Sequence, residues 1–316
     1  MMRKLLLTLL LAAGAVQAQS YPTKPVRFIV PYPPGGSTDL AARTVAERLT
    51  RSLGQQVVVE NRGGAAGAIG TTEVARAATD GHTILFAADT VITLHLVAKV
   101  QFDMQRDFLP ITMVTIQPIA VAVHPSLGVS SIRELIAYGK RSPGKLSFAH
   151  SGTGTGQHFS GELLKKMAGI DMVHVPYKGG GPAVQDLVGG QVPMAVMGST
   201  PLIPHHKAGR IKILAFTTRE RFPAMPDIPT LHESGLNGFD TSQWLGLLAP
   251  KGTAPEVISR LHAETAKVLA MPDVRQRLEQ AALQAVGNSP GEFKAQIDAD
   301  IERWTRLAHE IGIKPQ

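Results

Sequence analysis

Val26-Arg27-Phe28-Ile29-Val30-Pro31-Tyr32-Pro33-Pro34-Gly35-Gly36-Ser37-Thr38-Asp39 reads as a strand, a break and a helix start. Val26 to Val30 is short and β-rich, and three prolines followed by paired glycines end it. Ser37, Thr38 or Asp39 can cap the helix that follows. Ala41, Val45, Leu49 and Leu53 recur on one face of that helix, and Gly54 is a natural stop. Further on, Gln56 to Glu60 is a second strand and Asn61 to Gly67 a second glycine loop. Gly67 to Ala78 is a small-residue helix, and Thr83 to Ala87 a third strand. Strands alternating with helices predict a parallel, doubly wound α/β sheet.

The pattern resumes after His124-Pro125. Ser131 can cap a helix that runs to Arg141. Leu146 to Ala149 is a strand, Ser151 to Gly156 a glycine turn, and Gln157 to Ala168 a helix stopped by Gly169. Met172 to Val175 and Tyr177 to Gly181 repeat the strand and turn, with Pro182 placed for a first helical turn. Val192 to Met197 and Ile211 to Phe216 complete this second set. The proline-rich stretch from Phe222 to Pro229 is a connector. Trp244 to Ala249 is a strand, and three helices are expected over Pro255 to Met271, Pro272 to Gln284 and Pro290 to Ile311.

A chain of 316 residues is long enough for two domains, and 44% hydrophobic against 18% charged residues supplies real cores. Met1 to Lys4 is a basic start, Leu5 to Val16 an apolar run too short to span a bilayer, and Val16-Gln17-Ala18 a small-residue cleavage site. A cleavable leader over residues 1–18 is expected, with the cut before Gln19 and export to the periplasm. The absence of cysteine excludes disulfides, thiolate chemistry and a lipoprotein anchor. The formal charge of +7 is dispersed and aromatics are 5%, so no nucleic-acid platform is indicated.

Four glycine turns each follow a strand and precede a helix. They are Pro33 to Gly36, Gly63 to Gly67, Ser151 to Gly156 and Gly179 to Gly181. In parallel sheets such turns lie at the carboxyl ends of the strands, where ligands bind. Free N–H groups at helix starts attract anions, and glycine admits them closely. Other chemistries lack their marks. The phosphate loop Gly-x-x-x-x-Gly-Lys-Ser/Thr is missing, Gln157 stands where a dinucleotide turn needs glycine, and there is no Gly-x-Ser-x-Gly elbow. His205 and His206 are neighbours that point apart on a helix, so no metal site and no cofactor are expected.

These loops resemble the Bug-type (TctC-like) substrate-binding proteins of tripartite tricarboxylate transporters. The resemblance rests on Tyr21-Pro-x-Lys-Pro-Val-Arg27, Pro31 to Asp39, Val59 to Gly67 and Ala78 to Thr83. It continues through Pro143 to Leu146, Ser151-Gly-x-Gly-x-Gly-x-His158 and His174 to Ala183. It implies a two-lobed periplasmic-binding-protein fold (type II) with a ligand cleft. One ligand carboxylate is then held by main-chain amides and ordered water, without an obligatory arginine. The implied contacts in lobe one are Tyr32, Pro34, Gly35, Gly36, Ser37, Thr38, Asp39, Ala65, Ala66 and Gly67. In lobe two they are Ser151, Thr153, Gly154, Thr155, His158, Tyr177, Lys178, Gly179 and Gly180. Asp89 departs from the family, which often has a small polar residue there, and Gly198-Ser199 stands where Asp is frequent.

The implied boundaries are 19–123 with 243–316 for lobe one and 124–242 for lobe two. The chains cross near Val123-His124 and again near Ser242-Gln243. The expected function is non-enzymatic capture of a small carboxylate by a monomer, which delivers it to integral-membrane transporter subunits. A sensing role and a carboxylate-processing enzyme are the alternatives. Asp89 has two readings. Either it caps the next short helix with its side chain, or it faces the ligand, repelling a polyanion such as citrate and favouring a ligand with an amine or hydroxyl.

Overall fold

The computed structural model describes residues 21–313, so the expected leader lies outside the described residues. The first set of elements is β1 (Val26–Val30), α1 (Ser37–Leu53), β2 (Val57–Asn61), α2 (Ala68–Ala75) and β3 (Thr83–Ala88). A strand of 16 residues, β4 (Phe108–Val123), follows. The second set is α3 (Ile132–Arg141), β5 (Leu146–His150), α4 (Gly156–Ala168), β6 (Met172–Pro176), α5 (Gly180–Val188), β7 (Met194–Gly198) and β8 (Lys212–Phe216). The chain closes with β9 (Ser242–Pro250), α6 (Pro255–Ala270), α7 (Pro272–Gln280), β10 (Gln284–Ala285) and α8 (Pro290–Glu310).

Local chemistry accounts for most of the ends. Gly54 and Gly169 take left-handed conformations that stop α1 and α4. Ser131 caps α3 through its hydroxyl, as the sequence predicts. Ser289 and Glu292 form a reciprocal capping box ahead of Pro290, which starts α8. The start of α1 differs from the expectation. Its cap is Gly36, and no side chain of Ser37, Thr38 or Asp39 caps it.

The strands run in the order β2-β1-β3-β9-β4-β7-β5-β6, with β8 and β10 also on β4. Within each set the pairing is parallel and the order is the same: second, first, third. The two sets are joined by antiparallel β9 and β4. Helices cover both faces of both sets, giving separate apolar cores on each side. No helix among the described residues is long and apolar enough to cross a membrane.

The sequence reading assigns no element to the span of β4, in which Pro110 and Pro118 sit. A proline removes a ladder donor and is tolerated at irregularities. The register indeed shifts after Pro110 and again after Met113. Up to Pro118 the strand pairs with β9; from Ile119 it pairs with β7. The change of partners therefore lies upstream of Val123-His124.

Helix α4 of the second set rests on α8, which packs against the first set. Phe159 stacks on Trp304 with ring centroids 5.6 Å apart, and Lys166 pairs with Glu310. Trp304 is 2% exposed. Trp304→Ala is expected to lower unfolding stability by about 3–5 kcal/mol, the usual cost of emptying a buried indole site. Denaturant titration checks this, and a loss below about 1 kcal/mol would mean that the contact contributes little.

Candidate functional site

All four glycine turns sit where parallel strands end. In each set the order second-first-third puts a reversal of winding between the first and third strands. Ligands of open α/β sheets bind outside the strand ends at such a reversal. In the first set it is flanked by Tyr32 to Gly36 after β1 and by Asp89 after β3. In the second it is flanked by Ser151 to Gly156 after β5 and by Ser199 after β7. Asp89 and Ser199 thus hold matching places in the two sets.

The first turn is braced from behind. Asp39 is buried, and its carboxylate accepts from the Gly35 amide (3.0 Å), Arg43 (3.0 Å) and Asn61 (3.0 Å). Asn61 also donates to the Tyr32 carbonyl (3.1 Å). Burial opposes ionisation of Asp39, but Arg43, the Gly35 amide and Asn61 together hold its pKa below the ordinary range. Thr38 is likewise buried, whereas Pro34, Gly35 and Gly36 are exposed. Gly36 has φ −82° and open space where a side chain would point.

In the second turn Gly64, Ala65, Ala66 and Gly67 all have positive φ. Left-handed alanine costs roughly 1–2 kcal/mol each, and such strain clusters at functional loops. A side chain at Gly67 would press on the Tyr32 ring at 3.2 Å, so the first two turns pack together.

The third and fourth turns are built similarly. Thr155 caps α4, accepting from the His158 amide (3.2 Å) and donating to the Gly152 carbonyl (2.8 Å). The Gly179 amide donates to the Ser151 carbonyl (3.1 Å), tying the two turns together. Tyr177 donates its hydroxyl to Asp186 (2.6 Å); burial first, and then this bond, push its pKa up to about 12. Thr155, Tyr177 and Asp39 therefore support loops with their side chains. Thr153 and Lys178 are exposed, and Gly180 opens α5.

The two sets meet at these loops. Thr93 donates to the Gly154 carbonyl. A side chain at Gly154 would collide with Val97, and one at Gly156 with Asp89 Oδ2. Asp89 is 2% exposed. It precedes a short helical turn, Thr90–Thr93, but its side chain does not cap that turn, which removes the capping reading. Three buried polar atoms at the strand ends, Tyr32 Oη, Asp89 Oδ1 and Ser199 Oγ, make no well-formed hydrogen bond among the described residues, although Thr90 and Ala88 approach Tyr32, and Gln243 and Thr90 approach Asp89. Burial, and next the neighbouring Asp300 carboxylate, push the Asp89 pKa well above the ordinary aspartate range. Burial and Asp89 in turn push the Tyr32 phenol upward.

Sequence reasoning missed two glutamines. Gln117 on β4 and Gln243 on β9 face each other in register where the two sets join. Gln117 donates to Gln243, lies 3.5 Å from Ser37 Oγ, and accepts from Thr200 (2.6 Å). The only signal was a lone amide in each of two apolar strands. A side chain at Gly198 would touch both at 3.0 Å. His150, beside Ser151, directs its ring to the Gly152 carbonyl (2.9 Å) and to His174 (3.2 Å), so it activates no serine. A cavity of about 400 Å³ lined by Tyr21, Leu53, Glu256 and Arg260 lies near the amino ends of β1 and β3, away from the glycine turns.

Two matched α/β sets joined by paired long strands, with anion-type turns at the strand ends, define a two-lobed periplasmic binding protein. The chain matches the tripartite tricarboxylate transporter family receptor, TctC, over residues 41–313, and it belongs to that family of solute-binding proteins. Protein BugT of Bordetella pertussis is 36% identical over 96% of this chain and 94% of its own. The R. palustris protein Rpa4515 with adipate is 34% identical, with a TM-score of 0.88 over 94% of this chain and 100% of that one. MatC from Rhodopseudomonas palustris with bound malate is 31% identical, with a TM-score of 0.83 over 91% of this chain and 100% of that one.

The raised pKa of Asp89 has a consequence for stability. The folded state holds this proton more tightly than the unfolded state. Its stabilisation is therefore complete below the unfolded value and is lost as pH rises towards the folded one. Asp89→Asn is expected to raise the unfolding midpoint at pH 7, with the gain closing near pH ~4, the ordinary aspartate value. Equal midpoints for both proteins across that range would show that Asp89 ionises freely in the fold.

Proposed function

We propose that this chain captures a small dicarboxylate between its lobes in the periplasm and delivers it to the membrane subunits of a tripartite tricarboxylate transporter. The observation that carries the reading is the set of buried polar atoms without a well-formed hydrogen bond beside the four glycine turns: Tyr32 Oη, Asp89 Oδ1 and Ser199 Oγ. Buried polar atoms normally find partners, and a bound polar ligand or its waters would supply them here. The dicarboxylates in the two R. palustris relatives give the ligand class its support.

Main-chain amides of the Gly35-Gly36-Ser37 and Ala65-Ala66-Gly67 turns take one carboxylate. The Ser151 to Gly156 and Tyr177 to Gly180 turns close on the rest of the ligand. Burial shifts Asp89 towards its protonated form, which can donate a hydrogen bond where an ionised group would repel the ligand. The lobes divide where β4 changes partners, between Pro118 and Ile119, and where β9 begins at Ser242. Residues 1–18 are the cleaved leader.

Closure around a ligand needs contacts to both lobes. Malate or adipate is therefore expected to raise the melting temperature and to reduce the radius of gyration in solution scattering. Gly36→Val should fold, since its side chain meets open space, yet bind at least tenfold more weakly, about 1.4 kcal/mol. Ser37→Ala should cost less than that. Full affinity in a folded Gly36→Val protein, measured by calorimetry, would falsify main-chain capture at this turn.

A further inference from the structure

Three histidines from three different elements meet behind the third glycine turn. His150 ends β5, His158 lies in the first turn of α4, and His174 lies on β6. One ring nitrogen from each falls within 4.8 Å of the others. Ring centroids are 4.8 Å apart for His150 and His158, 4.7 Å for His158 and His174, and 5.4 Å for His150 and His174; His150 lies 28° from parallel to each of the other two rings, so the rings must turn and draw inward to point at one ion. We propose that His150, His158 and His174 bind a transition-metal ion of the zinc class, open to solvent through His174.

The geometry around His150 is that of a metal ligand with an orienting partner. Its Nδ1 lies 2.9 Å from the Gly152 carbonyl and 3.3 Å from the Gly152 amide; the shorter contact favours a proton on Nδ1 and a bare Nε2. A backbone carbonyl on the far nitrogen is the usual support of a ligating imidazole. The bare Nε2 faces His174 Nδ1 at 3.2 Å. Two imidazole nitrogens on a tetrahedral zinc ion, each bonded at ~2.0–2.1 Å, lie roughly 3.3 Å apart. That spacing suits one edge of such a site as well as it suits a hydrogen bond.

His158 closes the third side. The Gly154 amide donates to its Nδ1 at 3.3 Å, so in the metal-free protein the lone pair sits on that nitrogen. A metal ion competes with this long bond, either taking the lone pair or drawing the proton across the ring. Both outcomes release the Gly154 amide within the third turn.

Burial favours the required protonation state. His150 and His158 are 0% and 3% exposed. Burial, opposed by the Gly152 carbonyl and assisted by His174, lowers the His150 pKa to about 4. Burial, and then the two neighbouring imidazoles, lower that of His158 to about 3. Burial thus disfavours the charged form of both rings. His174 is exposed on a strand at the end of the sheet, which gives the ion an entry path and leaves room for water as a fourth ligand. Imidazole-only sites of this kind suit zinc, copper and nickel, and cobalt serves as a coloured substitute for zinc.

The test uses the mature chain without a histidine tag. Cobalt(II) is titrated in and followed by visible absorption, and zinc(II) is measured by competition with a chromophoric chelator. One ion per chain is expected, with the strong bands of low-coordinate cobalt and a higher melting temperature in zinc. His174→Ala should weaken binding by roughly 100-fold, since losing even a supporting partner costs 10–100-fold. His174 is exposed, so this variant should fold as the parent does. His205→Ala, which alters a histidine elsewhere in the second lobe, should bind as the parent does. No binding, or binding of equal strength in the parent and His174→Ala, would overturn the proposal and leave the cluster as three packed imidazoles.

Discussion

The antiparallel ladder between β4 and β9 is the constraint on which the rest of the molecule depends. It runs from Phe108 opposite Pro250 to Pro118 opposite Ser242, and it is the part of the sheet through which the two parallel sets connect. Each set alone is a three-stranded parallel sheet that ends on an unpaired edge. The long strands cover that edge and fix how the glycine turns of one set face those of the other. Pro118 ends the β9 pairing where the partner changes, because it cannot donate to a ladder. The one amide pair in this ladder, Gln117 with Gln243, lies at the same point. Its bonds to Thr200 and its approach to Ser37 link the sets across the joint.

From that joint follows a division of labour among side chains. At the glycine turns, side chains hold the backbone in place. Asp39, Asn61, Thr155 and Tyr177 are all engaged within the protein. Packing also explains why Ala65 and Ala66 tolerate left-handed backbone. The strain is small beside the packing of the turn on Tyr32 and Pro31, and it sets the direction of the amides.

Asp89 shows how burial changes the meaning of a residue. As a letter in the sequence it is a negative charge beside an expected anion. In the fold it is enclosed by the Gly156 end of α4; burial first, and then the neighbouring Asp300, raise its pKa. Burial therefore favours its neutral form, which the sequence letter alone does not convey. The histidine cluster follows the same logic. Burial lowers the pKa of His150 and His158 beneath the third turn.

The sequence by itself determined the local elements and their order. Strand, glycine turn and helix are encoded by residues close in the chain, so the periodicity of α1, the cap at Ser131 and the stop at Gly169 were all legible. The four glycine turns were legible, each after a strand and before a helix, for the same reason. The sequence also carried the family resemblance, because the matching motifs are those turns. Only the tertiary structure decided the rest. β4, with two prolines in it, is a strand whose irregular pairing makes room for them. Gln117 and Gln243 lie far apart in sequence and acquire a role only when their strands pair. His150, His158 and His174 show no spacing that marks them as a cluster, since they come from two strands and a helix. Whether Asp89 caps a helix or is buried against another depends on where α4 comes to rest. Local propensity acts over a turn or two of chain. Burial, pairing and proton affinity are set by neighbours from remote segments, and those exist only once the chain has folded.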